Sequence, residues 1–452
     1  MKHLYLFFSA VFLLHIISVF YPNQTLLYGL GILALMMLVI SFRQASKLFQ
    51  ILGLAFLIIG AVFFYSTNMK IAQLPPMLAG NLSLLTLLAF LPWMNSVVTA
   101  GRFDKLLQHL LRGNVQHLGS LYQRSTTAMM SLTAFLNVSS ATIAQDVLVD
   151  NLKPIQRKIA NKFIMMTTLR GYSLALPWSP LEVLLAMSIF ITGVNFAEVL
   201  PWLVMITIFM YVIDSLWGKF YFKKYDYPQS GEKETGNHQQ NNQNRSKIIQ
   251  LATALITFLL LVILLGNVFE LEFIFIVTIL VFPFATVWAY LIKRSKSFWI
   301  IGWNKWKSSV NNMHNFIVLF VTLAFFTNSL NESPALMAIQ KPVVMVSDYP
   351  ILILIMIQLL FIVLSMFGVH PIATMGVLGG ISSMLIDILS PISLAVILVT
   401  SGVSTVPIGT YGLVVTITSM SLKQSPYYIT YYNLSYSFLF GAIGIITAYL
   451  LI

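Results

Sequence analysis

The stretch "LRGYSLALPWSP", from Leu169 to Pro180, places an arginine, a glycine, two serines and two prolines inside a long apolar run. The apolar residues on either side of it are typical of two halves of a membrane helix. The run from Asn161 to Val194 contains 34 residues, more than the roughly 20 that one helix needs to cross about 30 Å of hydrocarbon. The stretch therefore predicts a discontinuous membrane helix, broken near Gly171.

The composition of the whole chain points to the membrane. Of its 452 residues, 58% are hydrophobic and 9% are charged, and the mean hydropathy is +0.85, which excludes an ordinary soluble globule. Several apolar runs are long enough to span a bilayer. The absence of cysteine excludes disulfides and thiolate metal sites. We expect an all-α polytopic membrane protein with about eleven transmembrane helices.

The basic residues define an expected orientation. The net charge of +12 comes from Lys and Arg in short loops between apolar runs, which is typical of cytoplasmic loops and argues against a nucleic-acid partner. Residues 1–25 contain a retained first span, Leu4 to Phe20. The pattern predicts a multi-pass protein of the cell (plasma) membrane, with a cytoplasmic N-terminus and an extracellular or periplasmic C-terminus.

Residues 126–152 lie between two basic loops, so a full crossing would place one of these loops outside the cell. A re-entrant hairpin that enters and leaves on the cytoplasmic side satisfies both loops, and its polar centre, Asn137 to Thr142, suits a tip. The preceding residues 101–125 are predicted to form an interfacial amphipathic helix that carries Arg124.

The two halves of the chain match at a shift of 231 positions, which pairs Gly171 with Gly402 and Ser173 with Ser404 and reproduces the order of elements. The resulting division gives a first repeat at 26–218 (hairpin about 126–152, broken helix about 161–194), a flexible cytoplasmic loop at 219–247, and a second repeat at 248–452 (hairpin about 357–383, broken helix about 390–424). The first repeat begins outside and the second inside. Such inverted repeats are typical of secondary transporters with a site near the bilayer midplane.

This order, with two opposed re-entrant hairpins and two discontinuous helices, resembles the ion transporter superfamily, nearest to the divalent anion:sodium symporter family of dicarboxylate and citrate carriers. That family carries Ser-Asn-Thr at both hairpin tips. Here the first tip reads Asn-Val-Ser-Ser-Ala-Thr from Asn137, and the second reads Gly-Val-His-Pro-Ile-Ala-Thr from Gly368. The resemblance implies an elevator-type mechanism, a small anionic substrate, no cofactor other than Na⁺ as coupling ion, and a homodimer in the lipid bilayer.

The candidate site residues lie at the tips and the breaks. Substrate contacts are expected from Asn137, Ser139, Ser140, Thr142, Arg170, His370 and Thr374, and ion binding or coupling from Gly171, Ser173, Gly402, Ser404, Thr405 and Asp146. Helix ends and hydroxyls at mid-membrane can hold an anion or Na⁺, but serine and threonine also cap broken helices. His370 has a side chain suited to proton coupling, or it is bonded to the backbone.

Arg170 has two interpretations. A charge at that depth costs at least about 2.5–3.5 kcal/mol, so it requires a partner or a water-filled cavity. It could clamp a carboxylate or phosphate of the substrate, or it could form a structural pair with Asp146 or Glu182.

The expected function is secondary active transport of a small carboxylate- or phosphate-like anion, coupled to Na⁺ or H⁺. The alternative is an exporter or flippase of a larger amphipathic or lipid-linked anion, because the tip motifs depart from those of the family. A membrane-embedded transferase requires an acid–base constellation. His109 and His117 lack a spaced carboxylate pair, so we do not expect an enzyme.

Overall fold

The computed structural model describes residues 3–67, 69–103, 117–227, 238–336, 341, 345–410 and 412–452, without the side chains of residues 238–245 and 383. His109 and much of the expected amphipathic helix lie outside these residues. The described chain folds into α-helices, one short 3₁₀ helix and turns, and it contains no β-sheet. The all-α class expected from the sequence is confirmed.

Helices are numbered here in chain order along the described residues. The first ten are α1 (Leu4–Phe20), α2 (Gln24–Phe42), α3 (Lys47–Ser66), α4 (Leu74–Ala79), α5 (Leu82–Ala100), α6 (Leu118–Leu136), α7 (Val138–Asn151), α8 (Arg157–Ala175), α9 (Val183–Thr192) and α10 (Phe196–Phe222). The others are α11 (His238–Phe269), α12 (Phe273–Leu291), α13 (Ser295–Asn311), α14 (His314–Asn331), α15 (Pro350–Met366), α16 (Pro371–Gly379), α17 (Ser382–Leu389), α18 (Pro391–Ser404), α19 (Leu413–Leu422) and α20 (Pro426–Tyr449). Proline begins α15, α16, α18 and α20, where its missing N–H removes no intrahelical bond.

Seven of the described helices are long and apolar enough to cross a membrane, and the bent pair α13 and α14, with 52° between them, raises this number to eight. Helices α1, α9, α15, α18 and α19 are apolar but shorter, with 10–17 residues each. The protein is a multi-pass membrane protein, as predicted. The total of about eleven crossings stays a prediction, because it depends on short and interrupted helices.

The breaks in the two interrupted helices do not lie where the sequence placed them. Helix α8 continues through Gly171, and helix α18 continues through Gly402. The non-helical segments follow, at residues 176–182 and at residues 405–410 and 412. The prediction that the helices break at the two glycines was wrong, although both interruptions exist a few residues further along.

The surroundings of Gly171 explain this error. A Cβ atom at this position would lie 2.6 Å from Cβ of Met129 and 3.0 Å from the carbonyl oxygen of Thr126. The glycine therefore permits a close approach of α8 to α6, a role that the sequence does not distinguish from helix breaking. At Gly402 a Cβ would meet Leu184 at 3.4 Å, which is an ordinary packing distance.

The two hairpin tips share one backbone feature. Helices α6 and α7 meet at Asn137, whose φ is +47°, and α15 and α16 are separated by a turn containing Gly368, whose φ is +88°. Glycine and, less often, asparagine adopt this left-handed region. The two residues are 231 positions apart, which is the shift read from the sequence. Entry and exit of each hairpin on one side of the membrane stays a prediction.

Helix α6 begins at Leu118, so Arg124 lies on the first arm of the hairpin and not on an interfacial helix, which corrects the sequence-based placement.

The packing of the interrupted helices is reciprocal. Helix α9 packs on α18 and α16, while α19 packs on α8 and α7. The second half of each interrupted helix therefore contacts the other unit, and both breaks lie where the two units meet. Around them, α3 packs on α14 and α5 packs on α12.

Candidate functional site

The first hairpin tip is fastened to the first interrupted helix. The hydroxyl of Tyr172 donates a hydrogen bond to Oδ1 of Asn137, and Oγ of Ser179 donates to the carbonyl oxygen of Ala134 at 3.0 Å. Tyr172 lies one turn before the non-helical segment 176–182, and Ser179 lies inside this segment. The tip and the break predicted separately from the sequence therefore form one cluster.

Ser140 acts within the tip. Its Oγ donates to the carbonyl oxygen of Asn137 at 2.6 Å and lies 2.7 Å from Oγ1 of Thr133. The side chain is fully buried. Since both partners belong to the hairpin, the contacts of Ser140 hold the turn in shape.

Ser139, Thr142 and Asp146 form an exposed polar stripe on α7, because their spacing of three and four residues places them on one helical face. Polar groups at membrane depth are tolerated where they face water or protein. The stripe begins beside Asn137 and ends near the C-terminus of α7. The structure thus brings four predicted residues onto one continuous surface.

Glu182 lies inside the first break and was considered in the sequence only as a partner of Arg170. It is 8% exposed and precedes α9, where its Oε1 accepts a long hydrogen bond of 3.5 Å from the N–H of Leu184. Within the described part of the chain it forms no ion pair. Tyr172 lies within electrostatic range of it. A buried carboxyl group at an interrupted membrane helix is a candidate functional group.

Arg170 is buried among protein groups from three helices. Its Nη1 lies 2.8 Å from Oδ1 of Asp214, its Nε donates to Oδ1 of Asn433 at 3.1 Å, and its Nη2 donates to the carbonyl oxygen of Tyr432 at 3.0 Å. The partner carboxylate is therefore Asp214 on α10, and neither Asp146 nor Glu182 as the sequence suggested. This arrangement joins α8 to α10 and to α20 of the other unit.

The remaining surroundings of the Arg170–Asp214 pair are also filled. The hydroxyl of Tyr122 donates to Oδ2 of Asp214 at 2.9 Å, and the rings of Trp217 and Tyr436 lie 4.9 Å and 5.2 Å from the guanidinium carbon. Such a satisfied pair favours the structural interpretation of Arg170 over the substrate clamp. An aspartate inside an apolar span is itself a signal of function or pairing, and Asp214 could have been found in this way.

Ser173 and Ser404 occupy equivalent positions in the two units. Each Oγ bonds to the carbonyl oxygen three residues earlier, at 2.9 Å in Ser173 and 2.8 Å in Ser404. Each Oγ also forms a hydrogen bond with a side chain of a neighbouring helix. The Tyr436 hydroxyl lies 2.9 Å from Oγ of Ser173, and Nε2 of Gln358 donates to Oγ of Ser404 at 2.9 Å. Both serines are fully buried, and their contacts are those of helix-end bonding. Thr405 likewise bonds to the carbonyl oxygen of Gly402 at 2.7 Å.

The second tip differs from the first in its polar groups. His370 is half-buried and caps α16, because its Nδ1 accepts from the N–H of Ile372 at 3.3 Å. Oγ1 of Thr374, Oγ of Ser401 and Oε1 of Gln358 are buried and have no hydrogen-bond partner among the described residues. Buried oxygen atoms without partners call for an explanation, of which an unseen ion or water is one.

The described elements therefore define an α-helical membrane fold in which hairpins and interrupted helices meet between two related units. This is a fold that membrane transporters use. The chain is similar to the YdaH transporter of Alcanivorax borkumensis, with a TM-score of 0.61 and 15% identity, over 89% of this chain and 97% of that one. It is also similar to MtrF of Neisseria gonorrhoeae, from a class of antimetabolite efflux pumps, with a TM-score of 0.55 and 13% identity, over 89% and 94%.

Other comparisons found no relative. No protein-family model matches the chain, and no curated protein matches it. The structural likenesses establish the fold and do not support the predicted place nearest to the divalent anion:sodium symporters. The resemblance stated from the sequence is corrected to the broader class of proteins with a transporter fold.

Proposed function

We propose that this protein is a secondary active transporter that moves a small anionic substrate, carboxylate- or phosphate-like, across the cell membrane. The observation that carries the proposal is the pairing of a tip with a break, seen in the bond between Tyr172 and Asn137. The similarity to transporters in fold supports it. A membrane enzyme has no comparable support in the described residues.

The substrate site that we propose lies at the first tip. Asn137 is half-buried there, and Ser139 and Thr142 are exposed on the first turns of α7. The N-terminus of α7 follows the tip directly and directs free N–H groups and the positive end of the helix dipole towards it. These groups suit an anion. Arg170 contributes in this proposal through the packing of the two units and does not touch the substrate.

The coupling ion that we propose is Na⁺ or H⁺. Buried oxygens that lack partners among the described residues occur in both units, at Thr374, Ser401 and Gln358 in the second and at Thr126 and Gln145 in the first. They suit Na⁺, which is a hard cation and takes oxygen ligands. Glu182 and Asp146 are the carboxyl groups close to the first tip that could carry a proton.

Movement would be of the elevator type, with the hairpins and interrupted helices sliding against helices such as α3, α5, α12 and α14 in a homodimer.

The test begins with the purified protein and a thermal-shift screen of small carboxylates and phosphates, each with and without Na⁺ and at two pH values. A ligand that binds only the native state raises its apparent stability. We expect one anion class to stabilise the protein, and Na⁺ or low pH to increase the effect. Absence of a shift and of flux into proteoliposomes for all these anions would contradict the proposal.

Variants then localise the site. Thr142→Val should reduce uptake of the stabilising anion at least tenfold, because it removes an exposed hydroxyl at the proposed site without changing side-chain size. Thr286→Val is the matched control. Thr286 lies on α12 and its hydroxyl bonds to the carbonyl oxygen of Phe282 at 2.8 Å, so uptake should remain. Equal uptake by both variants would remove Thr142 from the site.

A further inference from the structure

A crevice of about 390 Å³ lies between the first hairpin arm, α6, and helix α11. Its polar groups all lie on α6, where Arg124, Thr127 and Ser131 share one helical face. The other lining residues of α6 are apolar: Ala128, Met130, Leu132 and Phe135. On α11 it is lined by apolar side chains, among them Leu251 and Leu255. The crevice is therefore charged and polar towards Arg124 and apolar towards Phe135 and Trp178.

The crevice connects one end of α6 with the candidate site. From Arg124 to Phe135, which both line it, the helix rises by about 16 Å at 1.5 Å per residue. This is roughly half of the hydrocarbon thickness. At the inner end the crevice is lined by Trp178, the residue before Ser179, whose Oγ bonds to the carbonyl oxygen of Ala134 in the hairpin. The far end of the crevice thus lies at the fastened tip.

The other end is positively charged. Arg124 is half-buried, and among the residues that the structure describes it has no carboxylate partner. Lys247, next to the lining residue Ile248, donates to the carbonyl oxygen of Arg102 at 3.3 Å. The charge distribution of the chain predicts that this end faces the cytoplasm.

The second unit shows that the fold does not require a cation at this place. At the shift of 231, Arg124 corresponds to Ile355 and Ser131 to Ile362, while Thr127 corresponds to the polar Gln358. Helix α15 has the same place in its hairpin as α6, without a cation at the matching position. A half-buried arginine opposite an apolar wall therefore needs a reason beyond folding.

We propose that this crevice binds an anionic amphiphile, with its phosphate- or carboxylate-type head group at Arg124 and its apolar chain along α11, and leads it from the bilayer to the first tip. The inference rests on the proposed transport function and changes its substrate class from a small anion to an anion that carries an apolar chain. Charge complementarity selects an anion, and the apolar wall selects a chain that a small dicarboxylate lacks.

The test uses the full-length protein in nanodiscs of neutral lipid and compares binding of dodecyl phosphate, inorganic phosphate and uncharged dodecyl maltoside. We expect dodecyl phosphate to bind at least tenfold more tightly than either of the other two. Arg124→Gln should weaken its binding about tenfold or more, because the charge-assisted bonds to the head group are lost. Arg157→Gln, at an exposed arginine at the start of α8, is the control and should bind normally.

A second variant fills the crevice without touching the charge. Ala252 lines the apolar wall, and Ala252→Trp should also weaken binding of dodecyl phosphate about tenfold. Equal binding by the wild type, Arg124→Gln and Ala252→Trp would overturn the inference, as would inorganic phosphate that binds as tightly as dodecyl phosphate.

The outcomes separate this inference from the proposed function. Binding of dodecyl phosphate that depends on Arg124, without flux of any anion, would support the proposed binding in the crevice and contradict the proposed transport function. Normal uptake of a small anion by Arg124→Gln, together with no binding of dodecyl phosphate, would contradict the crevice and sustain transport.

Discussion

In the first unit, the interrupted helix and helix α10 carry several ionisable and aromatic side chains, whereas the matching positions of the second unit are apolar or small. At the shift of 231, Arg170 corresponds to Ser401, Tyr172 to Val403, Glu182 to Leu413 and Asp214 to Ile445. The backbone features do match, as the positive φ values at Asn137 and Gly368 show. The repeated plan therefore concerns the backbone, whereas the buried ion pair of Arg170 and Asp214 and the buried carboxyl group of Glu182 belong to the first unit.

This difference distinguishes residues that the backbone of both units requires from residues that only one unit uses. Glycine, proline and serine recur where a turn or helix end is needed in both units. Ionised groups inside a membrane are costly, so their presence in only one unit indicates a purpose in pairing the units or in the site. Each prediction below compares two variants, either at matched positions of the two units or at a site and a control, and is measured as unfolding of the purified protein in one fixed detergent.

The largest difference is expected between Arg170 and Ser401. Arg170→Ala should destabilise the protein by about 3–5 kcal/mol, because it leaves Asp214 buried without its partner. Ser401→Ala should change stability little, since the Ser401 hydroxyl has no hydrogen-bond partner among the described residues. Thermal unfolding should show the contrast. A double variant, Arg170→Met with Asp214→Leu, should be more stable than Arg170→Ala. Similar stability of Arg170→Ala and the wild type would show that the pair does not join the units.

The hydroxyl of Tyr122 should come next. Tyr122→Phe removes a hydrogen bond to the carboxylate of Asp214 and should cost about 1.5–3 kcal/mol, the range for bonds to charged groups. Tyr211→Phe is the neutral comparison, because the Tyr211 hydroxyl lies 2.6 Å from Oγ1 of Thr127, and it should cost about 0.5–1.5 kcal/mol. Denaturant titration compares them, and the reverse order would mean that Asp214 is not ionised in the fold.

For the two equivalent serines, Ser173 and Ser404, the larger loss of stability is expected in the second unit. Ser404→Ala should cost about 1–3 kcal/mol, because the amide of Gln358 then loses its described partner and stays buried. Ser173→Ala should cost less, since the Tyr436 hydroxyl still lies 3.4 Å from the carbonyl oxygen of Arg170. Unfolding midpoints of both variants at one protein concentration decide this point. A larger loss for Ser173→Ala would indicate that Gln358 has another partner.

The smallest effect is expected at the second tip. Gly368→Ala should cost about 1–2 kcal/mol, because a Cβ is unfavourable in the left-handed region. The control is Gly29→Ala, where a Cβ would have open space and alanine improves helix propensity. Loss of stability only at Gly368 is the expected result of thermal unfolding. An unchanged Gly368→Ala would mean that the second tip tolerates a different turn.

Much of the fold could be predicted because the local composition of the sequence is sufficient to identify membrane helices. The first span, Leu4–Phe20, has the predicted bounds. Apolar length and flanking polar residues define both of its ends. The glycine-based break positions failed for a physical reason. Glycine serves both as a turn residue and as a contact residue, and only the neighbouring helix, α6 at Gly171, decides which.

The sequence by itself determined the membrane class, the helical class and the shift of 231 that relates the two tips, because hydrophobic length, proline and glycine act locally. Only the tertiary structure decided that Arg170 pairs with Asp214 and Asn433, which lie 44 and 263 positions away. It also placed Tyr172 on Asn137. Such partners depend on which helices pack together. Apolar faces drive this packing, and their sequence pattern does not indicate which polar atoms the packing brings into contact.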